Sequence, residues 1–338
     1  MINILKKKLN PTCYQGANTH SQHFEGWYFK IIDKTERYIY AIIPGIFIDK
    51  DDPSQHAFIQ IFDGVNNKSY YYKFQINDFY FNDHVFEIQI GSNYFSSEQL
   101  VLDIKNSSFN IYGKLNFTEL TKWPKTILSP GIMGWYTWVP FMECYHGIVS
   151  LDHKIHGSLS INDQNVDFSD GIGYTEKDWG KSFPEAWIWV QSNHFSSLNV
   201  SITGSIAIIP WIGKPFLGFI FGLWHKGKLY RFTTYCGARI VHFEVNSNKV
   251  YLVIKQKQFF LEIKANYMEA GYLQAPTING MRRGISESIK STLEIKLVSK
   301  SANGSEIILD DTGRNAGFEI AGDIQCLLNM WNKKKRNQ

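Results

Sequence analysis

The segment Thr175-Glu176-Lys177-Asp178-Trp179-Gly180, followed closely by Trp187-Ile188-Trp189-Val190-Gln191-Ser192-Asn193-His194, brings carboxylates, indoles and amides together in a short length of chain. On an extended strand alternate side chains share a face. Glu176 and Asp178 therefore point one way and Lys177 the other, while Trp187, Trp189, Gln191 and Asn193 share a face of the following strand. A wall of large aromatics ending in amides, with acids arriving from the neighbouring strand, suits an apolar ligand with a polar end. A carboxylic acid in such surroundings is desolvated, which raises its pKa toward neutrality and keeps a proton available for transfer.

The elements that must position these groups are strands. Period-two alternation recurs along the chain: Phe86, Ile88 and Ile90 against Glu87 and Gln89; Leu159 and Ile161 against Ser158, Ser160 and Asn162; Leu293, Ile295 and Leu297 against Thr292, Glu294 and Lys296. This is the pattern of half-buried antiparallel strands. Turn signals such as Asp63-Gly64, Asn66-Asn67, Lys226-Gly227, Asn246-Ser247-Asn248 and Ala302-Asn303-Gly304 separate them at hairpin intervals. Short helical or irregular pieces are expected only at Glu119 to Leu128 and near the C-terminus. The apolar run from Val200 to Trp224 is interrupted by Pro210, Lys214 and Pro215, so it reads as two buried strands around a turn rather than a membrane span.

The 338 residues are 15% aromatic, a supply that favours sheets and furnishes flat walls for ligands. A net charge of +4, evenly spread, argues against nucleic acid as a partner. Cys13, Cys144, Cys236 and Cys326 form no CxxC pair, and His20, His23 and His56 lack metal-ligand spacing, so no metal is expected. The N-terminus has no apolar signal core and no visible transit peptide, which gives a cytoplasmic expectation. Lys6 to Lys8 and Lys333 to Arg336 read as solvated ends that can also touch anionic lipid, making a peripheral membrane contact a further expectation. An echo between Glu25-Gly26-Trp27-Tyr28-Phe29-Lys30 and Glu185-Ala186-Trp187-Ile188-Trp189-Val190 suggests two similar halves, with a division near residue 170: 1–170 and 171–338. Each half has the size of a barrel or sandwich that encloses one small ligand.

Several motifs carry a family resemblance. They are His23 to Lys30, Gly173 to Gly180, Ser182-Phe183-Pro184, Trp187 to Phe195, Pro130 to Tyr136, Pro140-Phe141-Met142-Glu143-Cys144-Tyr145-His146-Gly147 and Met281 to Ser288. Together they resemble the tocopherol cyclase family from about residue 20 to 325, and the match is closest in style to the shorter, bacterial-type branch. The resemblance implies an all-β fold of two lipocalin-like antiparallel barrel or sandwich halves packed together. It also implies closure of a prenylated quinol to a chromanol ring. The family's plant members carry Asn where this chain has Asp178.

That reaction delivers a proton to an alkene, passes through a tertiary cation and removes a phenolic proton. It requires no redox cofactor or metal. Glu176 is the preferred acid, because an amide is tolerated at the position of Asp178, and Glu143 is the second choice. Asp178 then orients the headgroup. Trp187 and Trp189 supply indole faces that stabilise the cation by about 0.5 to 2 kcal/mol each. Gln191 and Asn193 hydrogen-bond the quinol oxygens, and His194 or His146 accepts the phenolic proton. By strand parity His194 should face away from Asn193. Trp27, Trp135 and Trp179 read mainly as core, with Trp27 retained as a substrate-binding candidate, and Glu25 and Glu287 as partners of Arg282 or Arg283. The expected partner is a lipophilic small molecule. The alternative is a non-catalytic carrier of an isoprenoid in the same fold.

Overall fold

The computed structural model describes residues 7–19, 21–49, 54–140 and 142–336. His20, Lys6 and Phe141, named above, lie outside the described residues. Alternation of apolar and polar residues becomes two antiparallel sheets, so the protein is all-β and lipocalin-like, as the motifs implied. The first sheet contains β1 (His23–Ile32), β2 (Ile39–Ile48), β3 (His56–Asp63), β4 (Lys68–Phe74), β5 (Phe79–Phe81), β6 (Glu87–Ile90), β7 (Asn93–Ser96), β8 (Gln99–Ile104), β9 (Ile111–Thr118), β10 (Cys144–Ile161), β11 (Gln164–Asp167) and β12 (Gly171–Gly180). Its order is β4-β3-β2-β1-β12-β10-β9-β8-β7-β6-β5, with β11 beside β10. Ile59 and Ile61 of β3 share one buried cluster with Phe79 of β5 and Ile88 of β6. Strands from opposite ends of the order therefore meet, and the sheet curls around a single core.

The second sheet contains β13 (Trp187–Ser192), β14 (Val200–Ile209), β15 (Phe216–His225), β16 (Lys228–Thr233), β17 (Arg239–Asn246), β18 (Lys249–Gln256), β19 (Phe259–Asn266), β20 (Gly271–Thr277), β21 (Gly280–Ser301) and β22 (Gly304–Ala321). Its order, β16-β15-β14-β13-β22-β21-β19-β18-β17 with β20 on β21, repeats the logic of the first. In both, a four-strand meander starts beside the last strand of the sheet. The apolar run flagged above forms β14 and β15, paired from Val200↔His225 to Ile209↔Phe216. Lys226 and Gly227, both with positive φ, close the β15–β16 hairpin as a two-residue turn of the kind that matches strand twist. The C-terminal segment forms α1 (Ile324–Arg336), which buries Leu327 and sets Trp331 edge-on to Phe243. No helix among the described residues is long and apolar enough to cross a membrane.

The chain divides after Phe183, and Tyr272–Gly284 counts with the first unit. The division falls a little beyond residue 170, because β12 lies in the first sheet between β1 and β10. The echo between residues 25–30 and 185–190 also needs refinement. β1 and β13 hold equivalent places in their sheets, yet Trp27 joins the first core while Ile188 and Val190, not Trp187, join the second. A one-residue offset in the pleat exchanges the faces.

One core residue has a consequence for stability. His153 on β10 is fully buried, lies 4.6 Å from Phe117 with the rings tilted at 49°, and neither ring nitrogen has a hydrogen-bond partner. Its ring lies over Gly173 so closely that a methyl group there would sit 2.2 Å from Nε2. Burial holds its pKa down at about 3, from an ordinary 6.5. Below pH 6.5 the unfolded chain takes up this proton and the folded one does not, so stability falls with pH down to about 3. His153→Leu is expected to flatten that limb. Relative to the parent it should gain about 2 kcal/mol between pH 6.5 and 4.5, read from urea midpoints at both pH values.

Candidate active site

β12 lies between β1 and β10, and its register decides which side chains meet. His146 stands opposite Asp178 and Ile148 opposite Glu176 on one side. On the other side Gly26 faces Asp178, Tyr28 faces Glu176, and Lys30 faces Tyr174. Residues paired in this way share a face of the sheet. Tyr174, Glu176, Asp178, His146, Tyr28 and Lys30 thus gather on the face turned away from the core, and Tyr174 and Lys30 are fully buried there.

The polar atoms form a connected chain. His146 Nδ1 lies 2.9 Å from Asp178 Oδ1, and its Nε2 lies 3.5 Å from Glu176 Oε2. The Tyr174 hydroxyl donates to the same Glu176 oxygen. Exposure falls along this chain, with side chains 26% accessible at Asp178, 13% at His146 and 6% at Glu176. The network therefore runs from a partly wet end to a dry one. A carboxylate at Nδ1 favours the tautomer with its proton there and leaves Nε2 as the basic nitrogen, aimed at Glu176. Ligand atoms of His146, Glu176 and Asp178 all lie within 4.8 Å of one another, a donor set that can take a divalent cation. Sequence spacing hid this set, because its members come from two strands joined only by pairing.

On the opposite face of β12, Lys177 enters the core. Its ammonium lies 2.5 Å from Glu25 Oε1, donates to the carbonyls of Pro11 and Cys13, and sits 4.9 and 4.6 Å from the ring centroids of Trp27 and Trp179. Glu25 also accepts from the backbone N–H groups of Gln15 and Gly16 and contacts His23 Nε2 at 2.8 Å. Burial opposes the Glu25 charge, but Lys177 and His23 outweigh it and hold its carboxyl below the ordinary range. The partner of Glu25 is thus Lys177, not Arg282 or Arg283. Trp27 lies on this inner face, stacked on Phe86 at 5.3 Å with its N–H donated to the Thr12 carbonyl. That corrects its place as a substrate contact to one in the core. Trp179 stacks on Tyr145, while Trp135, expected in the core, is exposed.

The remaining candidates fall elsewhere. Glu143 precedes β10 and accepts from Ser182 Oγ at 2.5 Å. Trp187, Trp189, Gln191 and Asn193 lie on β13, which pairs with β14 and β22 and not with β12. The expectation that β12 and β13 are paired neighbours is therefore overturned. The last strand of the first sheet returns to β1, and β13 opens a new sheet. Within that second sheet the Trp187 N–H donates to Glu319 Oε2 at 2.6 Å. Trp189 lies over Gly317, where a methyl group would come 2.6 Å from the indole. Gln191 is 3.5 Å from Asn193 Oδ1, and His194 Nδ1 is 3.1 Å from the same oxygen. His194 therefore reaches the Asn193 side chain, because β13 ends at Ser192 and strand parity stops with it.

Tyr174, Tyr28 and Lys30 went unassigned on sequence. Tyr174 was in phase with Glu176 and Asp178, a signal that period two alone supplies. Tyr28 and Lys30 needed the β1–β12 register.

Two lipocalin-like antiparallel sheets, one carrying a buried acid–imidazole–phenol network on its outer face, define the class of this all-β protein. The chain belongs to the tocopherol cyclase-like family, whose model matches residues 114–322. The matched region includes the whole Tyr174–Glu176–His146–Asp178 network and excludes Glu25. The chloroplastic tocopherol cyclase of Zea mays is 28% identical over 201 residues, 56% of this chain and 41% of that protein. The match thus spans about two fifths of the relative's length. Among solved structures, the crystal structure of CghA with Sch210972 has a TM-score of 0.53 at 10% identity, covering 89% of both chains. Kievitone hydratase from Nectria haematococca has a TM-score of 0.50 at 10% identity, covering 95% of this chain and 94% of that one. At such identities the likeness concerns the fold.

Proposed function

We propose that this protein is a cyclase that protonates the prenyl alkene of a lipophilic quinol and closes a chromanol ring, with Glu176 as the acid. The observation that carries this reading is the shared oxygen Glu176 Oε2, which accepts from Tyr174 and lies 3.5 Å from His146 Nε2. Membership of the tocopherol cyclase-like family supports it. Glu176 gives a proton to the less substituted alkene carbon, forming a C–H bond and a tertiary cation. The phenol oxygen attacks that cation as its O–H bond breaks. His146 Nε2, held basic by Asp178 at Nδ1, takes the phenolic proton and returns it to Glu176, so the cycle consumes none. Tyr174 stabilises the carboxylate between the two transfers. Proton transfer needs only these side chains, and the wet end at Asp178 lets the stored proton exchange with water.

The test is incubation with 2,3-dimethyl-5-phytyl-1,4-hydroquinone in detergent and deuterated water, followed by mass spectrometry. A chromanol carrying one carbon-bound deuterium above the protein-free control is the expected product. Substrate recovered unchanged but sequestered by the protein would overturn the reading in favour of carriage. Tyr174→Phe should keep the site's shape and lower turnover by about tenfold, the effect of losing one hydrogen bond to a charged group, with little change in KM.

A further inference from the structure

Residues 120–142, between β9 and β10, hold three tryptophans and two lysines but no Asp or Glu. The second part of this segment packs largely inward, as does Trp123 in the first. Trp123, Ile132, Met133 and Thr137 are buried, and residues Gly134–Trp138 form a short 3-10 helix. Its tip does the opposite. Ile127 is 73% exposed and Leu128 79%, and Trp135, on the 3-10 helix, is 45% exposed. The tip cannot fold back, because reciprocal hydrogen bonds between Thr126 and Ser129, 2.9 and 3.1 Å, close a tight turn with Ile127 and Leu128 at its apex. The Trp138 N–H donates to the Ile127 carbonyl at 3.1 Å and fixes the turn to the buried base.

Three lysines lie on or beside this segment. Lys8 donates to the Trp138 carbonyl at 3.2 Å, Lys125 to Asn10 Oδ1 at 3.2 Å, and Lys122 is exposed. An apolar apex held by hydrogen bonds, an exposed indole and three nearby lysines without an acid in the segment are complementary to one kind of partner, a bilayer with anionic headgroups. Aliphatic side chains enter the acyl boundary, indoles sit at the headgroup level, and lysines meet phosphate charge. A protein partner would be expected to offer carboxylates to the lysines and a shaped pocket to the apex. We propose that this turn, with Trp135 and Lys8, Lys122 and Lys125, is a docking surface for anionic lipid. The inference concerns this loop alone and does not depend on the reaction proposed above.

Sedimentation with vesicles of phosphatidylcholine, or of phosphatidylcholine and phosphatidylglycerol in equal parts, tests it. The full chain is expected to bind the anionic vesicles and to release them at high salt. The double change Ile127→Ser with Leu128→Ser should weaken binding at least about tenfold. Lys122→Glu with Lys125→Glu should weaken it similarly and reduce its salt dependence. Both pairs are exposed, so circular dichroism and the urea midpoint should match the parent. No binding by the parent, or equal binding by parent and both variants, would overturn the proposal. So would a parent that is dimeric without vesicles and becomes monomeric on the Ile127→Ser and Leu128→Ser changes, which would assign the tip to a second copy of this chain.

Discussion

Glu176→Gln is expected to lower chromanol formation by about a hundred- to ten-thousand-fold while leaving quinol binding nearly intact. Glutamine has the same shape, and its amide oxygen still accepts from the Tyr174 hydroxyl, so the site should hold its geometry. What it loses is the transferable proton. The deficit should therefore fall on kcat, with KM little altered, and deuterium incorporation at carbon should vanish with turnover. Asp178→Asn serves as the contrast. The amide oxygen can still accept from His146 Nδ1, and this end of the network is the more exposed one. A loss of no more than about tenfold is expected there, since only a partly solvated charge is removed. Equal losses at the two positions would move the acid's role to the pair as a unit.

The second large effect is on stability. Glu25→Gln leaves the buried ammonium of Lys177 without its carboxylate and should cost about 3 to 5 kcal/mol, measured by urea unfolding at pH 7. The amide cannot supply the charge that offsets removing Lys177 from water. Combining it with Lys177→Met should recover most of the loss, because an apolar pair of similar volume carries no desolvation penalty. A double variant as unstable as the single one would show that the backbone donors of Gln15 and Gly16, not the ion pair, set the energy. The pH dependence has a definite sign. The folded Glu25 carboxyl is held below its ordinary 4.5, so its stabilisation is present above that value and is lost as pH falls through the depressed one. This window lies at the acid end of the His153 limb, and the two variants should flatten different parts of the curve.

Much of the architecture was legible because period-two alternation reports strands and their inner faces directly. The run from Val200 to Trp224 is one case, where Pro210 and Pro215 mark the break that becomes the β14–β15 turn. The acids of the site were legible for the same reason, since Glu176 and Asp178 had to share a face. Pairing was not legible. Alternation says which side a residue faces but not which strand lies beside it, and chain proximity misled when β12 returned to β1 rather than meeting β13. The sequence offers His146 as a proton acceptor, but only register places it against Asp178. The same gap left Glu25 assigned to an arginine when its partner, Lys177, stood beside the chosen acid in the chain. Trp27 and Trp187 show a finer limit, because similar words in two strands sit one residue out of phase with the pleat.

The ten residues of β12 carry the core clamp on one face and the acid network on the other. A selection for heat resistance and a selection for turnover would therefore act on the same short piece of gene, and neither could change the backbone of this strand without the other registering it. Improved variants of either kind should accumulate away from Gly171–Gly180, in the loops and outer strands. Exchanging that one segment with a relative's would disturb both traits together, since each is completed by a residue of a neighbouring strand, Glu25 of β1 and His146 of β10.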